Sequence, residues 1–264
     1  MVELKGTVAI VTGAARGIGR GIATCLAREG VHVVIADLGR NQDIAREMEE
    51  TARQVRAHGV EALRVNVDVR NWEQVQGMVK AAVDRFGRVD ILVNNAGVIS
   101  VAPVVLMEES EWDRVLGVNL KGTFLCSKAV APHMMERRSG RIVNLSSQAG
   151  KRGYLGLAHY CASKFGIIGF TQSLAYELGP SNVTVNAVCP GEVDTSMMRD
   201  VLAPAIAFVT GKTPEEAWQE WITTRVPLGR PQTPEDIGEA VVFLCRAENI
   251  TGEALNVTGG SEMA

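Results

Sequence analysis

The 264-residue chain has no block of like charges and a formal net charge of only −3. It therefore offers no electrostatic footprint for nucleic acid and no acidic or basic tail. No apolar run approaches the roughly 20 residues needed to cross a bilayer, and the start, "MVELKGTVAIVTG", lacks the layout of a secretory leader. The five cysteines (Cys25, Cys126, Cys161, Cys189, Cys245) form no C-x-x-C pair. Their odd count argues against a disulfide framework and for a reducing compartment, here the cytoplasm. None of the four histidines (His32, His58, His133, His159) stands three to five residues from another histidine or a cysteine, so no metal site is expected. Internal repeats, low-complexity stretches and Pro/Gly/Ser linkers are also missing. Residues 1–264 read as a single domain, with 46% hydrophobic residues to build its core. What remains after these exclusions is a small-molecule partner.

Short apolar runs recur at "TVAIV", "VHVVIA", "ALRVNV", "VDILVNN", "RIVNLSS", "VTVNAVC" and "ALNVTGG", as expected of strands buried on both faces of a parallel sheet. Longer amphipathic stretches, residues 41–58, 71–86, 110–138 and 157–178, separate them and read as helices. Their alternation predicts a doubly wound α/β fold with a sheet of about seven strands and helices on both faces, a barrel being the alternative. Residues 192–230 break the rhythm. Pro204, Pro214 and Pro227 punctuate short helical pieces there, and an insertion of this length is expected to be a lid over a substrate.

After the first strand comes "TGAARGIG", with Gly13, Gly17 and Gly19 where strand turns into helix. Glycine there allows positive φ and close approach of a phosphate, while the helix N-terminus presents free N–H groups to the anion. The spacing is G-x-x-x-G-x-G rather than the common dinucleotide fingerprint. Asp37, at the end of the next strand, stands where a carboxylate holds adenosine ribose hydroxyls. At about 4 Å it would repel a 2′-phosphate by about 4 kcal/mol at an effective dielectric of about 20, which favours NAD over NADP. Arg16 and Arg40 are the opposing charges.

Further along stand "NNAG" (Asn94 to Gly97), Asn119, Ser147, "YCASK" (Tyr160 to Lys164) and "PGEVDT" (Pro190 to Thr195). In order and spacing these resemble the short-chain dehydrogenase/reductase family, over essentially the whole chain. The resemblance implies a Rossmann-like domain, a nicotinamide cofactor, and oxidation of alcohols or reduction of ketones. By position, Asn119, Ser147, Tyr160 and Lys164 match the family's catalytic tetrad. Cofactor contacts are implied for Gly13, Arg16, Gly17, Ile18 and Gly19, for Asp37, Asp68 and Val69, and for Asn95, Ala96 and Gly97. The same holds for Tyr160, Lys164, Pro190, Gly191, Val193 and Thr195. Ser147 would hold the substrate oxygen and Asn119 a water of the proton relay.

A free phenol, with a pKa of about 10, must lose about three units to act as a base near neutrality, or about 4 kcal/mol. A lysine ammonium about 4 Å away supplies a comparable amount, and the four-residue spacing puts Lys164 and Tyr160 on one helix face. Gln148, beside Ser147, and Glu192, after the Pro190-Gly191 turn, are expected to border the reacting carbon with Ser147 and Tyr160. Such polar groups suit a polyol, vicinal diol or hydroxyketone; otherwise Gln148 faces solvent and Glu192 pairs with a lid arginine. A 3-oxoacyl thioester reductase using NADPH is the second reading and a non-catalytic dinucleotide sensor the third. Apolar residues such as Phe165, Ile168 and Leu174 on more than one face of residues 157–178, together with the resemblance, lead to an expected homotetramer.

Overall fold

The computed structural model describes residues 2–39 and 41–263. In chain order the elements are β1 (Val8–Thr12), α1 (Gly17–Arg28), β2 (His32–Asp37), α2 (Gln42–Arg56), β3 (Ala62–Asn66), α3 (Trp72–Phe86) and β4 (Ile91–Asn94). There follow α4 (Glu109–Leu116), α5 (Gly122–Arg137), β5 (Gly140–Leu145), α6 (Ala158–Leu178), β6 (Val183–Pro190), α7 (Ala203–Thr210), α8 (Pro214–Arg225), α9 (Pro234–Arg246) and β7 (Ala254–Val257). The seven strands are all parallel, in the order β3-β2-β1-β4-β5-β6-β7. The order reverses between β1 and β4, and in such sheets a ligand lies beyond the carboxyl ends of the strands at that point.

Strand alternation divides the interior in two. Ala9, Val11, Val33, Ile35 and Ile91 face one core, closed by Ile22 and Leu26 of α1, Met48 and Val55 of α2, and Ile237 and Val241 of α9. Val8, Ile10, Val34 and Leu92 face the other, closed by Val75 and Met78 of α3, Val130 of α5 and Leu178 of α6. Leu174 belongs to this second core, so it does not stand on the outer face of α6 where oligomer contacts were expected. Phe165 does, at 47% exposed, as does Phe124 of α5.

Residues 109–137 run as one helical stretch, interrupted by a π turn at Gly117–Lys121 that joins α4 to α5. A π turn widens the backbone by one residue and recurs at functional sites; Asn119 lies within this one. Asn41 and Asn71 cap α2 and α3 through their side chains, and Thr213 and Thr233 open α8 and α9 with capping boxes. Residues 192–230 fold as short helices: α7 and α8 enclose their own small core of Ala203, Trp218, Ile222 and Val226. Only the bridge Val193 to Gln232 has strand character there. Among the described residues no helix is long and apolar enough to cross a membrane.

Candidate active site

The loop from β1 to α1 is braced from behind by β4. Asn95 donates through Nδ2 to the Thr12 and Gly13 carbonyls (2.9 and 3.0 Å), and the Asn95 and Ala96 N–H groups donate to Thr12 Oγ1. Gly13 has φ +64°, and a Cβ there would lie 2.9 Å from Ala96 Cα; a Cβ at Gly19 would lie 2.2 Å from the Gly13 carbonyl oxygen. Neither position tolerates a side chain. At the start of α1 the capping position is Arg16, which makes no side-chain cap, and no acidic residue stands in the first turn. This differs from the capped α2, α3, α8 and α9, and it leaves a positive helix end suited to a diphosphate. Thr195 faces the loop, 3.5 Å from where a Gly17 Cβ would be. The donor set and the glycine cradle fit a dinucleotide.

Asp37 ends β2 with its carboxylate against this loop, accepting from the Ala15 N–H (3.0 Å) and from its own neighbour Leu38 (2.8 Å). Arg16 is exposed, and Arg40 lies outside the described residues. Asp68 is held by a two-pronged Arg70 guanidinium, 2.7 Å at the closer ion-pair contact. Val69 is buried against Gly122 of α5. Gly191 is packed against Gln232 and Thr258, and Val193 is buried and bridged to Gln232.

At the ends of β4 and β5 the tetrad positions come together. Ser147, two residues beyond β5, accepts the Ala149 N–H at 3.1 Å and stands near enough to the Tyr160 phenol to lower its pKa. Lys164 is 5% exposed, donates from Nζ to the Leu145 carbonyl at 2.7 Å, and lies 5.5 Å from the centre of the Tyr160 ring. Asn119 is fully buried. Its Oδ1 accepts from the Val98 N–H (2.8 Å), while Nδ2 donates to the Val98 carbonyl and to Ser163 Oγ (both 3.0 Å). Ser163 in turn donates to the Tyr160 carbonyl at 2.7 Å. The side chain of Asn119 thus clamps the segment that follows "NNAG" to the start of α6, and Thr123 Oγ1 occupies its carbonyl at 2.7 Å. Gly97 stands between Asn119 and Lys164: a Cβ there would be 3.5 Å from Asn119 Oδ1 and 3.8 Å from Lys164 Nζ.

The expected depression of the phenol pKa is not found in the cofactor-free protein. Burial pushes Tyr160 up to about 12, partly opposed by the Ser147 hydrogen bond, and burial pushes Lys164 down to about 8. Burial thus disfavours the charged form of both groups. Desolvation is the leading cause of both shifts.

Gln148 and Glu192 are buried and bonded to each other at 2.7 Å. Gln148 does not face solvent, and the partner of Glu192 from residues 192–230 is the Trp221 indole (3.1 Å), not an arginine. Three further contributors were not foreseen: Thr12, whose hydroxyl ties the glycine loop to β4; Ser163, which relays Asn119 to Tyr160; and Ser261, which donates to this carboxylate. Ser163 carried a signal, standing three residues after Tyr160 on a helix face; Ser261 carried none.

Comparison with known proteins places this geometry. The family model described as short chain dehydrogenase matches residues 7–205. Among curated relatives, the 3-oxoacyl-[acyl-carrier-protein] reductase FabG of Staphylococcus aureus is 40% identical over 257 residues, covering 97% of this chain and 98% of that protein. The (2S)-[(R)-hydroxy(phenyl)methyl]succinyl-CoA dehydrogenase subunit BbsD of Thauera aromatica is 38% identical over 262 residues, 98% of each chain. Among solved structures, NAD+-bound xylitol dehydrogenase superposes with a TM-score of 0.89 at 34% identity over 98% of this chain and all of that one. Levodione reductase does so with 0.89 at 30% identity over 97% of both. A glycine cradle at the switch point, a Ser-Tyr-Lys cluster beside it and matches along nearly the whole chain have one explanation: the chain belongs to the short-chain dehydrogenase family of oxidoreductases.

Proposed function

We propose that the chain interconverts a secondary alcohol and a ketone with NAD(H), acting on a polyol, vicinal diol or hydroxyketone. The meeting of Ser147, Tyr160 and Lys164 at the end of β5, next to the glycine cradle, carries this reading. When bound, the nicotinamide exchanges a hydride with the carbinol carbon. Tyr160 takes the hydroxyl proton in oxidation and returns it in reduction. Ser147 Oγ holds the same oxygen, which fixes its distance from the phenol. Lys164, anchored to the Leu145 carbonyl, would hold the ribose hydroxyls of a bound cofactor and, while protonated, favours the phenolate. Asn119 holds Val98 and, through Ser163, the backbone at Tyr160; it keeps the base in register with the segment after "NNAG" and would border the water path by which the proton leaves.

The choice of NAD rests on the Asp37 carboxylate beside the glycine loop. The polar substrate rests on the likeness to xylitol dehydrogenase. A second reading, reduction of a 3-oxoacyl thioester with NADPH, is favoured by the FabG relatives. A panel of polyols, diols, hydroxyketones and 3-oxoacyl thioesters with both cofactors separates them. NAD is expected to exceed NADP at least ~10-fold in kcat/KM, a gap the ~4 kcal/mol repulsion can supply, and Asp37→Ala should narrow it. Equal use of both cofactors, or turnover confined to thioesters, would reject the first reading. The five buried free cysteines suit a reducing compartment, and we place the enzyme in the cytoplasm.

A further inference from the structure

Glu192 is 1% exposed and both of its oxygens are engaged. Oε1 accepts from Gln148 Nε2 (2.7 Å) and from the Trp221 indole N–H (3.1 Å), and Oε2 accepts from Ser261 Oγ (3.0 Å). Ser261 Oγ also lies 2.9 Å from Gln148 Oε1. These four residues come from four parts of the chain: the turn that begins at Ser147, the turn after β6, helix α8 and the segment after β7. The segment after β7 is fastened a second time, by the Arg152 to Glu262 ion pair at 2.9 Å.

Apart from Glu192, the polar hold on helix α8 is Arg199, which pairs with Glu215 of α8 (2.7 Å) and with Asp194 after β6 (2.8 Å). The helix packs chiefly on α7, and the apolar core it shares with α7 is separate from the two cores of the sheet. Trp221 is covered on one side by the Arg225 guanidinium, 3.9 Å from its ring centre, and is joined to the sheet domain through its indole N–H on Glu192. A self-contained body fastened by a polar contact moves as a unit when that contact is lost.

We propose that Glu192 is a positioning residue, the hub that latches lid helix α8 and the C-terminal segment to the turn carrying Ser147. It acts through Gln148, Trp221 and Ser261 rather than on the substrate, so that closing the lid and aligning Ser147 become one event. This rests on the proposed Ser147–Tyr160 chemistry for its kinetic consequence but not for its structural one. A carboxylate is not required for the latch. A glutamine can accept from Gln148 and Trp221 through its oxygen and donate to Ser261 through its nitrogen, leaving the Ser261 hydroxyl for Gln148.

The test is hydrogen exchange on the full chain together with kcat and KM for the alcohol at saturating NAD, in Glu192→Ala, Glu192→Gln, Trp221→Phe and Ser261→Ala. Glu192→Ala is expected to speed exchange in Pro214–Arg225 and in residues 258–263 at least ~10-fold and to lower kcat/KM by ~10- to 100-fold. Glu192→Gln is expected to recover most of both losses. Should Glu192→Ala fail to fold, the two single-arm variants carry the test: Trp221→Phe should loosen α8, and Ser261→Ala the C-terminal segment. Unchanged exchange in α8 on loss of Glu192 or of the indole N–H would overturn the latch. So would a glutamine variant as impaired in turnover as alanine but with protected α8, because that outcome makes Glu192 a charge acting on the substrate. A Tyr160→Phe enzyme with normal turnover would instead reject the oxidoreductase mechanism, while the exchange data would stand unaffected.

Discussion

Replacing Lys164 by methionine should make the cofactor-free protein more stable at neutral pH, and the gain should vanish as pH rises. In the folded protein burial lowers Lys164 from 10.5 to about 8. The unfolded chain therefore holds this proton more tightly between about pH 8 and 10.5, and stability rises with pH across that window. Below it, the buried ammonium costs about 3 kcal/mol at 1.36 kcal/mol per pKa unit. Methionine removes that cost but leaves the Leu145 carbonyl without its donor, which takes back about 1 kcal/mol. The net expectation is a variant about 2 kcal/mol more stable at pH 7 and slightly less stable than wild type near pH 10.5.

Raw stability curves would hide this. Burial also raises Cys25 to about 11, and Cys126, Cys245 and Tyr160 to about 12. Each of these stabilises the fold below its unfolded pKa, and the contribution is lost as pH climbs toward the folded value. They act in the opposite direction to Lys164 above about pH 9, but they are shared by both proteins. The informative quantity is the difference between variant and wild type, measured by urea unfolding at matched protein concentration and several pH values. It should fall by about 3 kcal/mol between pH 8 and 10.5. A difference that stays constant with pH would show that burial does not hold Lys164 in an unfavourable charged state.

For turnover, Tyr160→Phe should abolish alcohol oxidation at every pH. In Lys164→Met the rising limb of the kcat/KM profile should move up by about 1–3 pH units, the range for losing a neighbouring opposite charge; an unshifted limb with measurable activity would confine the lysine to cofactor binding. Asn119→Ala strands the half-buried Val98 N–H and frees Ser163, so thermal unfolding should report a loss of about 1–3 kcal/mol, with kcat falling more than cofactor affinity. With Phe124 and Phe165 exposed on α5 and α6, the enzyme should be a homotetramer built on those helices, and a monomer mass by light scattering at micromolar concentration would refute this.

Strand runs such as "TVAIV" and "VDILVNN" specified a parallel sheet because burial on both faces leaves a continuous apolar signature, and the glycines of "TGAARGIG" marked the phosphate loop because no residue with a Cβ fits at Gly13 or Gly19. Local spacing likewise put Tyr160 and Lys164 on one face of α6. Tertiary structure decided what those side chains experience. Helix geometry says nothing of desolvation, so the direction of both pKa changes at Tyr160 and Lys164 emerged only once the surrounding core was in place. Asn119 was legible as a motif position, but its grip on Val98 and Ser163 depends on a π turn that no local pattern announces. Leu174 reads as one more apolar residue of α6, and only packing against the sheet assigns it to the core. Glu192 is the clearest case: its partners lie 44, 29 and 69 residues away in sequence. Contacts of that range leave no periodicity in the chain, because they are created by the fold that brings the ends of β5 and β6, helix α8 and the C-terminal segment to one place.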